Sequence, residues 1–189
     1  MRRTSLYSVV TLVAVSFALA VFITRPGSAP PNEVDKEFVQ QMIPHHHLGM
    51  RLIDEATFNS QDVRLRRLVF EMGAYHGAEV ATLESWADEW NLSSSENFPG
   101  ALSESEIEGL TSSKGGDHDI RWLSAMIRHH EGALVIGEKG RDGRITQSMA
   151  ATIWRIQQQQ IEEMRDLLND LCQAEEASPE CSEVLAETF

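Results

Sequence analysis

At 189 residues with 42% hydrophobic content, the chain is long enough to bury a core and too apolar to be disordered throughout. Its formal net charge of −13 argues against nucleic acid and anionic membrane surfaces as partners, and is compatible with attracting cations.

The chain opens on a targeting element. Arg2 and Arg3 precede an uncharged apolar run from Leu6 to Ile23, about long enough to span a bilayer. Ala18-Leu19-Ala20 resembles a signal-peptidase site, but Val21-Phe22-Ile23 continues the run beyond it. Residues 1–24 are therefore read as an uncleaved anchor or a cleaved signal peptide, with the anchor favoured. The basic end stays in the cytoplasm and the remainder is exported. It faces the periplasm or cell exterior if anchored, and is secreted if cleaved. Residues 25–34, rich in proline, form an extended linker.

From Asp35 onward helical periodicity dominates, and no strand pattern is convincing. A first helix is expected over 35–57, with Phe38, Met42, Gly49, Leu52, Ile53 and Ala56 on its apolar face and Pro44 bending it or breaking its hydrogen bonding. A second is expected over 62–90. The connection 91–117 is rich in Ser, Glu and Gly, with a capping-box signature at Ser103-Glu-Ser-Glu106 for a short helix. His118, between Asp117 and Asp119, reads as a cap-region residue. The next long helix is expected over 119–139, a turn at 140–143, and the last long helix over 145–172. The acidic tail 173–189 is expected to be partly loose. Its Cys181 pairs with Cys172 as a disulfide, on the ground that the compartment is oxidising.

One segment occurs twice. Asp35, Phe38, Met42, Ile43, His45 and His46 recur in register as Asp119, Trp122, Met126, Ile127, His129 and His130. The repeats span 35–90 and 119–172, each an αα-hairpin with one apolar face, and packing those faces together gives an antiparallel four-helix bundle over 35–172. His76 and Glu79 align best with Gln157 and Gln160, although a register pairing Glu79 with Glu163 stays open.

Adjacent histidines are rarely needed twice for packing, whereas neutral imidazole is the commonest protein ligand for metals. Met42, His46 and Met50 recur every four residues and share one stripe, His45 lies on its flank, and His47 points outward. Met126, His129 and His130 repeat the set, with Leu134 where Met50 stands. Thioether with imidazole suits Cu(I) better than iron or magnesium. Candidate ligands are thus Met42, His45, His46, Met50, His76, Met126, His129 and His130, with His76 either a ligand or a group orienting one. Glu79, Gln157 and Gln160 are expected to support the ligands by hydrogen bonding. Met164 offers a further sulfur, and most of the run Gln157–Gln160 is expected to be solvated. Binding should weaken below about pH 6.5, where imidazole protonates.

D-x-x-F-x-x-x-M-I-P-H-H and D-x-x-W-x-x-x-M-I-x-H-H resemble the motifs of the domain-of-unknown-function family 305 over about 35–171. The resemblance implies an exported bacterial protein with a ferritin-like helical bundle, and in some members periplasmic copper binding through Met and His. The chain departs from that pattern at His76 (for Gln), at Gln160 (for Glu) and at Leu134-Val135 (for a Met-containing end).

The leading expectation is a non-enzymatic protein that sequesters or hands on Cu(I). A di-iron or di-manganese oxidoreductase needs Glu-x-x-His pairs, and none occurs. An envelope interaction module with structural histidines is the third reading. A homo-oligomer or an envelope partner is left open.

Overall fold

The computed structural model describes residues 29–174 together with Cys181 and Val184. The expected anchor or signal segment, most of the linker and much of the tail lie outside the described residues. Among the described residues no helix is long and apolar enough to cross a membrane.

All regular structure among the described residues of the bundle is helical: α1 (Glu33–Asn59), α2 (Val63–Trp90), α3 (Glu104–Ser112), α4 (Gly115–Gly140) and α5 (Gln147–Ala174). α1 and α2 form one hairpin, α4 and α5 the other. The hairpins meet chiefly through α1 and α4, with α3 lying against α4. The pairing of α1 and α4 is antiparallel. Phe38 and Met42, early in α1, share a core cluster with Ala133 and Ile136, late in α4. Leu48, Leu52 and Ala56 share another with Ile120, Leu123 and Ile127.

The repeated aspartates tie one hairpin to the turn of the other. Asn32 and Asp35 make a capping box at the start of α1. Asp35 Oδ1 also accepts the amides of Ile145 (2.8 Å) and Thr146 (3.0 Å) and the Thr146 hydroxyl (3.1 Å), next to the start of α5. Burial pushes the Asp35 carboxyl up, but bonds from Thr146, Asn32 and Ile145 outweigh it and hold it below the usual range. In the second repeat, Asp119 Oδ2 accepts the hydroxyl of Ser60, in the α1–α2 turn, at 3.1 Å. The repeated aromatics also pack across the interface: Trp122 donates its indole N–H to the Leu52 carbonyl (2.6 Å), while Phe38 sits against Gly140.

Several expectations are corrected. α4 begins at Gly115 and α5 at Gln147. His118 therefore lies inside α4 and is fully buried, where a cap residue was expected. At Pro44 the expected local break in hydrogen bonding is present, although α1 runs on through it. The Gln40 carbonyl, which Pro44 cannot bond, accepts the Ser95 amide at 2.8 Å instead. In the tail, Cys181 is bonded to Cys172, and both Cys181 and Val184 are buried in the core.

Candidate metal centre

Between the two apolar clusters lies a layer of five buried imidazoles: His45, His46, His76, His129 and His130, each at most 1% exposed. Their rings close a circuit. His45 stacks on His129 with centroids 3.8 Å apart; His129–His130 is 6.0 Å, His130–His76 5.7 Å, His76–His46 4.7 Å and His46–His45 5.8 Å. α1 and α4 each supply an adjacent pair, because residues i and i+1 both reach the core where two neighbours flank a helix. α2 supplies the fifth ring.

Burial is the first cause of neutrality throughout the layer. It lowers His46 and His129 to about 3 and His76 to about 4, and holds His45 and His130 well below the usual range, with the crowding of like rings adding to it. A neutral imidazole carries one N–H, and for four rings a backbone or amide oxygen fixes which nitrogen holds it. His45 Nε2 donates to the His129 carbonyl (2.8 Å), His76 Nδ1 to the Met72 carbonyl (3.1 Å), His129 Nδ1 to the Gly100 carbonyl (2.9 Å) and His130 Nε2 to Gln160 Oε1 (2.9 Å). The opposite nitrogens, His45 Nδ1, His76 Nε2, His129 Nε2 and His130 Nδ1, are buried with no hydrogen-bond partner. Each presents a lone pair, as a metal-ligating histidine does when its other nitrogen is held by a carbonyl.

Two of these lone pairs converge. A Cβ on Gly49 would sit 3.0 Å from His76 Nε2 and 3.1 Å from His129 Nε2. Glycine thus leaves a small cleft on α1, faced by bare nitrogens from α2 and α4. The donor set is neutral, nitrogen-based and shielded from water, a borderline type that suits copper among the transition metals. Among the described residues, no three His, Cys, Asp or Glu side chains meet closely enough to enclose a metal ion as they stand.

The supporting residues are related by the repeat. His46 Nε2 lies 2.8 Å from Glu79 Oε2, as His130 Nε2 lies 2.9 Å from Gln160 Oε1. Glu79 therefore corresponds to Gln160, and the register through Glu163 is excluded. Gln157, the counterpart of His76, is buried with both amide atoms unbonded. Of the run 157–160, two residues are buried, more than the sequence suggests, while Gln159 is exposed.

Burial raises the Glu79 carboxyl to about 7. A raised carboxyl favours the folded state below its unfolded value of about 4.5 and loses that advantage as pH rises through 7, at a cost of about 3 kcal/mol at neutral pH. Replacing it with glutamine recreates the His130–Gln160 pair. Glu79→Gln should raise stability to denaturant by about 1–3 kcal/mol at pH 7.5 and by about 1 kcal/mol less at pH 6, where the protein is still folded. Equal gains at both values would show that Glu79 is not desolvated.

The methionines separate. Met42 is fully buried in one cluster, while Met126, Met164 and Met72 are fully buried in the other, where half-buried Met50 also packs. Met42 and Met50 thus fall on opposite sides of the imidazole layer. His47 is half exposed and meets Glu84 at 2.9 Å.

A strap that the sequence does not reveal lies over the layer. Residues 91–103 cross from α2 to α3, held by Ser95 on the Gln40 carbonyl and by Gln40 Nε2 on the Ser93 carbonyl (3.0 Å). Phe98 meets His45 edge-on at 5.9 Å, and Pro99-Gly100 pack directly on Gly132. Gly100 has φ +78, which only glycine adopts without strain, and so aims its carbonyl at His129. The Pro99-Gly100 dipeptide was the available signal, marking a turn without showing what it touches.

None of the curated proteins compared matches this chain. Among solved structures, a DUF305 protein from Streptomyces coelicolor is 21% identical, with 73% of this chain and 92% of that one covered and a TM-score of 0.68. A DUF305 fragment from Deinococcus radiodurans is 25% identical, covering 75% and 99%, also with a TM-score of 0.68. CopM in its Cu(I)-bound form is 18% identical, covering 72% and 96% with a TM-score of 0.63, and structures of CopM with Ag and with Cu(II) match similarly. The family described as Domain of unknown function (DUF305) matches residues 35–168, most of the described bundle, and this chain belongs to it.

Proposed function

We propose that the chain is an extracytoplasmic, non-enzymatic protein that binds Cu(I) within its imidazole layer and sequesters it or hands it on. The observation that carries this reading is the pair of bare, buried nitrogens, His76 Nε2 and His129 Nε2, both close to the space that Gly49 leaves open. Cu(I) is a d¹⁰ ion that tolerates low coordination and favours soft or borderline donors. Neutral imidazoles meet that need without adding charge to a dry interior. His45 and His130 supply further lone pairs, and Met42 and Met126 bring thioethers from either side as reserve donors on small movements of the layer. CopM, which shares the fold, is compatible with the reading through its Cu(I)- and Ag-bound forms. Among the described residues Glu79, bonded to His46, is the carboxylate hydrogen-bonded to the layer, which favours copper over a carboxylate-bridged di-iron or di-manganese centre. Export is supported by the basic and apolar N-terminal segment and by the disulfide, the segment serving as anchor or cleaved signal.

Anaerobic titration of the purified protein with Cu(I) against a competing chelator tests the reading. Wild type should hold the ion, and His76→Ala and His129→Ala should each weaken it by at least about tenfold. Undetectable affinity, or affinity untouched by both substitutions, would reject it.

A further inference from the structure

One buried histidine takes no part in the imidazole layer. His118, fully buried in the first turns of α4, turns Nδ1 to Asp119 Oδ1 at 3.0 Å. The other Asp119 oxygen accepts the Ser60 hydroxyl at 3.1 Å, so the carboxylate is fixed from both sides. The opposite nitrogen, His118 Nε2, is buried without a hydrogen-bond partner and points at Glu55 Oε1 on α1, 3.7 Å away. That separation is too long for a hydrogen bond. It does suit an ion between them: bonds of about 2.1 Å to nitrogen and to oxygen span it at an angle of about 125°. A carboxylate holding one imidazole nitrogen while the other faces a second carboxylate is the arrangement found behind metal-bound histidine.

We propose that His118 Nε2 and Glu55 Oε1 form a second cation site, for a divalent ion of borderline character such as Zn²⁺. A carboxylate with an imidazole disfavours soft Cu(I) and favours a dication. Glu55 keeps 22% of its side chain exposed, so water completes the coordination and the ion enters from the surface. Two neighbours limit the strength of the site. Asn59 Nδ2 donates to the same Glu55 oxygen at 2.7 Å, and Lys114 reaches Asn59 Oδ1 at 3.4 Å. With two protein donors the affinity should be micromolar rather than nanomolar. The site is independent of the imidazole layer and does not rest on the copper reading.

Zn²⁺ titration of the purified protein, read by calorimetry and by elemental analysis after equilibrium dialysis, tests it. Wild type should bind one Zn²⁺ that is lost in His118→Gln, weakened about tenfold or more in Glu55→Gln, and kept in Gly49→Ala, which closes the imidazole cleft. Should His118→Gln fail to fold, Glu55→Gln decides, since Glu55 is partly exposed. Zn²⁺ binding that is absent from wild type, unchanged in Glu55→Gln, or lost in Gly49→Ala would overturn the proposal.

Discussion

Lowering the pH from 7 to 4.5 should unfold this protein cooperatively, although it holds the full complement of carboxylates that acid normally neutralises last. The five layer imidazoles are neutral when folded and titrate near 6.5 when unfolded. Below pH 6.5 the unfolded chain therefore binds more protons than the folded one, and stability falls with pH down to the depressed folded values of about 3 to 4. At pH 5 each of His46, His76 and His129 costs about 2 kcal/mol, about 6 kcal/mol together, with His45 and His130 adding in the same direction, which is comparable with the whole stability of a domain. Glu79 acts in the opposite sense, recovering about 3 kcal/mol over the same range, and does not reverse the outcome. Helical circular dichroism followed against pH is the check, and Cu(I) bound to folded protein alone should move the transition to lower pH. A signal flat to pH 4 would mean that the imidazoles are not buried as described. The same reasoning revises the expectation that copper is lost below pH 6.5. Within the folded state, protons compete only near 3 to 4, so in acid the fold limits binding.

Gly49→Ala should cost at least about a hundredfold in Cu(I) affinity while leaving the bundle folded. The added methyl would lie 3.0 and 3.1 Å from the two converging nitrogens, in the space that an ion bridging them needs. The effect on folding is small because two contributions oppose each other. Alanine gains about 1 kcal/mol over glycine in a helix interior, and crowding of the His76 ring, whose Cδ2 would be 2.9 Å away, costs about 1–3 kcal/mol. A chelator titration paired with a denaturant melt separates the two. Unchanged copper affinity in a folded Gly49→Ala protein would move the binding site away from this cleft.

The duplicated segment makes the architecture legible in the sequence. Asp35 and Asp119, Phe38 and Trp122, and the two histidine pairs recur because each hairpin presents the same face to the other. The Ser103–Glu106 capping box likewise marked α3, since capping is local chemistry. Depth was not legible. A four-residue stripe says that Met42, His46 and Met50 share a face of α1, yet the length of that face spans both core clusters, so the sulfurs end on opposite sides of the layer. Nor does spacing reveal that His76 and His129, on different helices, both bring Nε2 close to Gly49. Gly115-Gly116 has the composition of a connection, yet α4 starts at Gly115, where φ is +63, and carries His118 inward. The strap was invisible for a different reason: its contacts are mostly backbone groups, which a sequence does not distinguish.

The central claim is that burial and fixed tautomers leave lone pairs waiting for a soft ion. Histidine ¹⁵N chemical shifts at pH 7.5, recorded without metal and with one equivalent of Cu(I), test it directly. The account predicts that His76 and His129 carry hydrogen on Nδ1 and not on Nε2, and that Cu(I) shifts those two Nε2 resonances most. Protonated Nε2 atoms in the metal-free protein, or Nε2 resonances that stay in place as copper binds, would contradict it.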